Sequence, residues 1–131
     1  MTVAENKQTI RAFYAAANRG DTAGFMRYIA DDVTWRNMGS TKFSGVFAGK
    51  NTLVEKLLTP LFGQLKAGIS CTIDNIVAED EYVVVQLRGR AETKDGRPYN
   101  NSYCHIFKLR DGMIVDVSEY MDTELVTSVF G

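Results

Sequence analysis

The stretch Tyr99-Asn100-Asn101-Ser102-Tyr103-Cys104-His105-Ile106-Phe107-Lys108-Leu109-Arg110-Asp111-Gly112-Met113-Ile114-Val115-Asp116-Val117-Ser118-Glu119-Tyr120-Met121 decides the fold. Side chains alternate in character on both sides of Asp111-Gly112, so the stretch reads as two antiparallel strands joined by a tight connection. A two-residue turn would set Phe107 opposite Asp116 and Lys108 opposite Val115, which mixes the faces. A three-residue loop, Arg110-Asp111-Gly112, with glycine in the left-handed position, sets Leu109 opposite Met113, Phe107 opposite Val115, His105 opposite Val117 and Tyr103 opposite Glu119. One face is then apolar except where Tyr103, His105 and Glu119 gather. His105 and Glu119 are diagonal neighbours in this register, within reach of long side chains.

Working upstream, Lys94-Asp95-Gly96 reads as a loop of the same kind. It pairs Val83 with Phe107, Val85 with His105, Leu87 with Tyr103 and Gly89 with Asn101. Gln86, Arg88, Arg90, Glu92, Asn100, Ser102 and Lys108 fall on the opposite face. A slip of one residue would reverse every assignment, so agreement between two separate turns carries weight. From Ile69 onward four strands are expected, near residues 69–77, 82–93, 99–109 and 113–121. Gly89, without a side chain, leaves a gap beside Asn101 and marks a bend.

The first half of the chain has helical spacing. Thr2-Val3-Ala4-Glu5 is a capping box, opening a helix with Val3, Ile10, Phe13, Tyr14 and Ala17 on one stripe. Gly20 stops it. Asp21 caps a second, short helix through Phe25, Met26, Tyr28 and Ile29, which Asp31-Asp32 ends. Val33-Thr34-Trp35-Arg36-Asn37 alternates as a strand, followed by a loop rich in Gly and Ser over residues 39–49. A second capping box, Thr52-Leu53-Val54-Glu55, opens a third helix carrying Leu53, Leu57, Leu58, Leu61 and Leu65, which Pro60 kinks or divides. Helices first and a sheet afterwards make an α+β plan, with residues 1–131 forming one domain.

Composition narrows the function. The 131 residues carry a formal net charge of −1, 45% hydrophobic and 24% charged residues, which suits a folded globular domain. No apolar run approaches the ~20 residues of a membrane span, and the start lacks the apolar core of a signal peptide. Near-neutral charge without a basic block excludes nucleic acid as a main partner. Cys71 and Cys104, at no metal spacing, read as reduced thiols of a cytoplasmic protein. Nothing supplies a His- or Cys-rich metal set, so no metal and no cofactor are expected.

Four segments carry a family resemblance: Phe13-Tyr14-Ala15-Ala16-Ala17-Asn18-Arg19-Gly20-Asp21, Ala30-Asp31-Asp32-Val33-Thr34-Trp35, Asp111-Gly112-Met113-Ile114-Val115 and Glu119-Tyr120-Met121-Asp122. In order and spacing the chain resembles the nuclear-transport-factor-2-like superfamily, in particular its SnoaL-like branch of polyketide cyclases. The resemblance implies a cone, in which a strongly curved antiparallel sheet wraps against three N-terminal helices with a pocket at the mouth. It also implies a homodimer through the outer sheet face. Among relatives, the oxyanion tyrosine of ketosteroid isomerases falls on Phe13, with Tyr14 a step round the helix. Their basic aspartate falls on Asn37, which cannot accept a proton at neutral pH, and their second donor falls near His105. That argues against isomerisation of ketosteroids. Limonene-epoxide hydrolases place an acid near Glu119, but Arg88-Gly89-Arg90 lacks their aspartate. Aldol-type cyclases carry a His on the penultimate strand and an acid on the last. His105 and Glu119 occupy comparable places, with Glu for Asp.

Two readings of the site follow. In the first, His105 and Glu119 are the acid–base pair of a cofactor-free isomerase, cyclase or lyase acting on a small, mostly apolar carbonyl compound. Tyr14, Asn37, Asn101 and Tyr103 position the substrate, and Phe13, Trp35, Val85, Leu87 and Val117 line the pocket. In the second, the polar side chains satisfy one another and the chain is a non-catalytic dimeric binder of a hydrophobic small molecule.

Overall fold

A computed structural model describes residues 1–131. Helix α1 (Val3–Asn18) begins at Thr2, whose side chain accepts from the Glu5 amide while Glu5 reaches back to the Thr2 amide. Helix α2 (Thr22–Met26) is capped by Asp21. It ends sooner than its apolar spacing suggests, because Ile29 already begins β1 (Ile29–Asn37) and Asp31-Asp32 lies within that strand. The supposed loop at 39–49 contains a further short strand, β2 (Gly45–Ala48), paired antiparallel with β1.

The third helical stretch starts at Lys50 after Gly49, so Thr52 and Glu55 lie inside it and form no capping box. It runs as α3 (Lys50–Leu53), a π-helical turn (Val54–Leu58) and α4 (Thr59–Phe62). The wider turn comes just before Pro60, whose ring cannot follow a regular α-helical turn and whose nitrogen has no proton to donate.

Strands β3 (Ser70–Glu79), β4 (Tyr82–Glu92), β5 (Pro98–Arg110) and β6 (Met113–Met121) follow, and α5 (Thr123–Phe130) closes the chain. The helices-then-sheet plan therefore needs two amendments, strand β2 among the helices and the terminal helix. The sheet runs β2-β1-β6-β5-β4-β3. Every pair is antiparallel except β1–β6, which is parallel. Register shifts in β1–β6, β3–β4 and β5–β6 mark bulges or irregularities that bend the strands, so the open sheet curves about the helices in an α+β fold.

The β4–β5 register is the expected one, with Val83, Val85, Leu87 and Gly89 opposite Phe107, His105, Tyr103 and Asn101. The β5–β6 hairpin differs. Asp111 and Gly112 both take positive φ, 52° and 76°, and make a two-residue turn that leaves Arg110 opposite Met113 and Leu109 opposite Ile114. The register then shifts between Lys108 and Leu109, so Phe107 meets Val117 and His105 meets Glu119 directly. The bulge restores the parity that the tight turn would have broken. From Val117 onward the face is the expected one while partners move by two residues, and Tyr103 lies opposite Met121 instead of Glu119; before the bulge the face is reversed, so that Ile114 is buried beside Leu109 where Met113 and Val115 were expected.

The concave side holds the core. Ile10, Phe13, Leu53, Leu57, Val83, Val85, Phe107 and Val117 are all fully buried. Burying side chains of this kind contributes about 2 kcal/mol each toward the entropy cost of ordering the chain. Asn18 pins the end of α1 to β3, its Nδ2 donating to the Cys71 carbonyl at 2.8 Å and its Oδ1 accepting from the Cys71 amide at 2.7 Å. That clamp sets the depth at which α1 presents Tyr14.

Candidate functional site

Three elements bring one row of polar groups together inside this core. His105 projects inward from β5, Glu119 stands opposite it on β6, and Tyr14 faces both from α1. The imidazole Nε2 lies 2.7 Å from Glu119 Oε2 and Nδ1 lies 2.5 Å from the Tyr14 hydroxyl oxygen. Trp35, neighbouring Glu119 across the parallel β1–β6 pair, donates its indole N–H to Glu119 Oε1 at 3.3 Å. An ionised carboxylate only accepts, so Nε2 carries the proton, and a neutral ring then receives the Tyr14 proton at Nδ1. The row Tyr14–His105–Glu119–Trp35 is thereby satisfied from end to end.

The surroundings are aromatic. Tyr14 stacks nearly parallel to the imidazole at 5.9 Å, while Phe107 at 5.6 Å and Trp35 at 6.3 Å meet it edge to face. The His105 side chain is 8% exposed and that of Glu119 14%. Burial raises the Tyr14 hydroxyl well above its ordinary titration range, the Cys71 thiol and the Glu119 carboxylate adding to the effect. Tyr14 is therefore a hydrogen-bond donor at neutral pH and not a base. Burial chiefly, helped by Glu119, pushes the Cys71 thiol up to about 11, which keeps it protonated.

A second polar group lies alongside. Tyr103 donates its hydroxyl proton to Tyr99 at 3.2 Å, and Asn101 Nδ2 donates to the same Tyr99 oxygen at 3.1 Å. Asn101 also binds both the carbonyl and the amide of Asp122, at 3.1 Å each, tying β5 to the start of α5. Its amide is thus committed to the backbone. Tyr103 lies 5.6 Å from the imidazole, ring to ring, without a hydrogen bond to it. Its ring fills the space Gly89 leaves open: a Cβ there would come within 2.8 Å of Tyr103 Cε2 and of Ile69 Cγ2. Asn37 Nδ2 holds the Phe43 carbonyl at 3.0 Å, while its Oδ1 is buried without a partner.

The expected lining residues Phe13, Trp35, Val85, Leu87 and Val117 all sit in the core around this row, each 5% exposed or less. They belong to one packed core cluster. Two open surface depressions, of about 790 and 440 Å³, lie elsewhere. The first is lined by the start of α1 and the β3–β4 and β5–β6 turns, the second by residues 66–68 and the β4–β5 end. Tyr99 was missed by the sequence reading, although it shares the parity of Asn101, Tyr103 and His105 on β5. Phe43 and Phe130 were missed as well, the one inside a loop and the other in a helix whose spacing went unread. No group of three or more His, Cys, Asp or Glu is placed to hold a metal ion, and no helix is long and apolar enough to cross a membrane.

This curved sheet, closed over its helices around a buried polar row, defines a fold shared with nuclear-transport-factor-2-like proteins. One of that description, of unknown function, from Burkholderia pseudomallei is 22% identical, with 96% of this chain and 95% of that chain covered and a TM-score of 0.84. The family model of the SnoaL-like domain matches residues 10–117, and the chain belongs to that family. Similar structures include a proposed SnoaL-like polyketide cyclase from Jannaschia sp. CCS1, 15% identical over 95% of this chain and 90% of that one, TM-score 0.79. AclR, a proposed hydroxylase from Streptomyces galilaeus, is 16% identical over 98% of this chain and 85% of that one, with the same TM-score. At these identities the likeness is one of fold. No curated protein matches the sequence.

Proposed function

We propose that the chain is a cofactor-free isomerase, cyclase or lyase that moves a proton on a small, mostly apolar carbonyl compound held against the concave face of the sheet. The supporting observation is the hydrogen-bonded row Tyr14–His105–Glu119–Trp35, set among the aromatic rings of the concave face. Glu119 is the base in this reading: it is the more exposed partner, and both His105 nitrogens are already engaged in hydrogen bonds. Its carboxylate takes the proton from the carbon beside the carbonyl and becomes a carboxylic acid. The electron pair moves onto the carbonyl oxygen, where the Tyr14 hydroxyl, turning from Nδ1, donates to the enolate. The acid then returns its proton to another atom of the ligand. Family membership is consistent with a small-molecule ligand and does not identify it. The same reading makes the protein a cytoplasmic homodimer through the outer sheet face, where Val84, Ile106 and Tyr120 stand among charged neighbours; its free thiols Cys71 and Cys104 suit that compartment.

The close packing around His105 favours a second reading, a binder without turnover. Deuterium exchange separates the two. In D2O the wild-type protein is expected to speed exchange at the carbon beside the carbonyl of 2-tetralone or a similar ketone, followed by proton NMR, and Glu119→Gln to abolish it. A protein that holds such ketones but leaves their exchange at the buffer rate is the binder.

A further inference from the structure

The larger surface depression, about 790 Å³, shares no residue with the row Tyr14–His105–Glu119–Trp35. Three segments meet around it: the first turn of α1, the β3–β4 turn and the β5–β6 turn. The Leu109 amide donates to the Glu81 carbonyl at 2.9 Å, which carries the β4–β5 ladder past Tyr82 and sets the two turns side by side. Asn6 stands in the wall, on the buried stripe of α1 that continues through Ile10 and Phe13. It is 4% exposed, and its Oδ1 is buried without a hydrogen-bond partner. A buried acceptor left unmatched costs stability that an apolar side chain would not. Because Asn6 is part of the wall, a half-turn about χ2, a torsion with two broad wells, swings the oxygen from the packed side of the residue to the open one.

The charges around the depression are unequally matched. Lys108 stands 3.8 Å from Glu81, and Arg110 holds Asp32 at 3.1 Å. Asp80 and Asp111, one in each turn, have neither an ion pair nor a side-chain hydrogen bond. The positive end of α1 is already answered by Glu5, whose carboxylate accepts from the Thr2 amide at 3.0 Å. What the depression leaves unmet are acceptors, two carboxylates and an amide oxygen. An anion there would have to part both ion pairs and sit among carboxylates, whereas a cation with N–H groups meets all three. Val3 and the Tyr82 ring, 39% and 46% exposed, add apolar surface to the same hollow.

We propose that this depression is a second binding site, for a linear polyamine: a flexible methylene chain carrying two or more ammonium groups. The ammonium groups donate to Asp80, Asp111 and the turned Asn6 Oδ1, and the methylenes lie on Val3 and Tyr82. The site is independent of the concave face and needs neither His105 nor Glu119.

The test is titration of the full chain with spermidine at low ionic strength, followed by calorimetry and by backbone amide NMR. Wild type is expected to saturate below about 10 mM, with the shifted signals gathered on residues 3–6, 80–82 and 108–112. Asp80 and Asp111 both sit at φ 52°, which asparagine tolerates as aspartate does, so Asp80→Asn and Asp111→Asn remove charge alone. Each should weaken spermidine about two- to fivefold. Asn6→Leu, which removes an unmatched buried acceptor and so folds at least as firmly, should weaken it about tenfold. Glu124→Gln removes an exposed carboxylate on α5 and should change the affinity by less than about twofold. Failure to saturate, shifts gathered elsewhere, or an affinity that Asp80→Asn, Asp111→Asn and Asn6→Leu leave unchanged overturns the proposal. So does an equal loss in Glu124→Gln, which marks general attraction to an acidic protein.

Discussion

Replacing Glu119 by Gln and by Leu distinguishes what its charge does from what its two oxygens do. Glu119→Leu would leave the His105 Nε2–H and the Trp35 indole N–H without acceptors inside the core, where the carboxylate now receives them at 2.7 and 3.3 Å. Each buried, unpaired donor costs about 1–3 kcal/mol, so this substitution is expected to destabilise by about 3–4 kcal/mol after the added apolar burial is credited. Gln is milder. Its amide supplies one acceptor and one donor, and the imidazole can adapt by moving its proton to Nδ1, presenting Nε2 to the amide N–H. The Tyr14 hydroxyl then loses its acceptor and a charge-assisted bond becomes a neutral one, together a loss of about 1–2 kcal/mol. Urea unfolding at pH 7, with equal slopes for the three proteins, measures both. Should Leu prove no worse than Gln, or both lie within about 0.5 kcal/mol of wild type, the row is not a structural unit.

Three further outcomes are expected. Gly89→Ala, whose Cβ would come within 2.8 Å of the Tyr103 ring, should cost about 1–3 kcal/mol in urea and displace the Tyr103 side chain, seen as shifted ring signals; a neutral substitution would contradict the packing. Trp35→Phe removes only the 3.3 Å bond to Glu119 and the indole's extra bulk, and should cost about 1–2 kcal/mol without unfolding the sheet. Stability should hold below about pH 9 and fall as pH climbs from 9 to 11, because the folded chain keeps the Cys71 proton that the unfolded chain releases. Tyr14 acts in the same direction above its ordinary value of 10.0. The Cys71 part is worth about 2–3 kcal/mol, and Cys71→Ser should flatten the decline; an unfolding midpoint constant from pH 8 to 11 would contradict the burial of both groups.

The parity of β4, of β5 and of β6 from Val117 onward was legible because alternating side chains and Asp-Gly turns are local signals; at the start of β6 the tight turn turns Ile114 inward in place of Met113 and Val115. The β5–β6 partners were not legible. A three-residue loop and a two-residue turn followed by a bulge place Phe107, His105, Val117 and Glu119 on the same face, so the hydrophobic pattern does not choose between them. The structure takes the second, and His105 faces Glu119 squarely instead of diagonally. Strand β2 and the parallel β1–β6 pairing depend on partners far along the chain, which periodicity does not report. Helix α5 was readable but unread: Asp122 caps it, and Leu125, Val126, Val129 and Phe130 recur at helical spacing. Within the site, His105, Glu119 and Tyr14 followed from residue type and face. That Asn101 would serve the backbone, and that Tyr103 would turn to Tyr99, depended on the Asp122 junction and on the gap at Gly89.

Because the chain has one histidine, a long-range nitrogen–proton correlation spectrum of the labelled protein reads its ring without assignment. The account predicts a proton fixed on Nε2, slow to exchange with water, and an Nδ1 that accepts a hydrogen bond and changes in Tyr14→Phe. A proton on Nδ1, or a ring averaging freely between its two tautomers in open solvent, would contradict it.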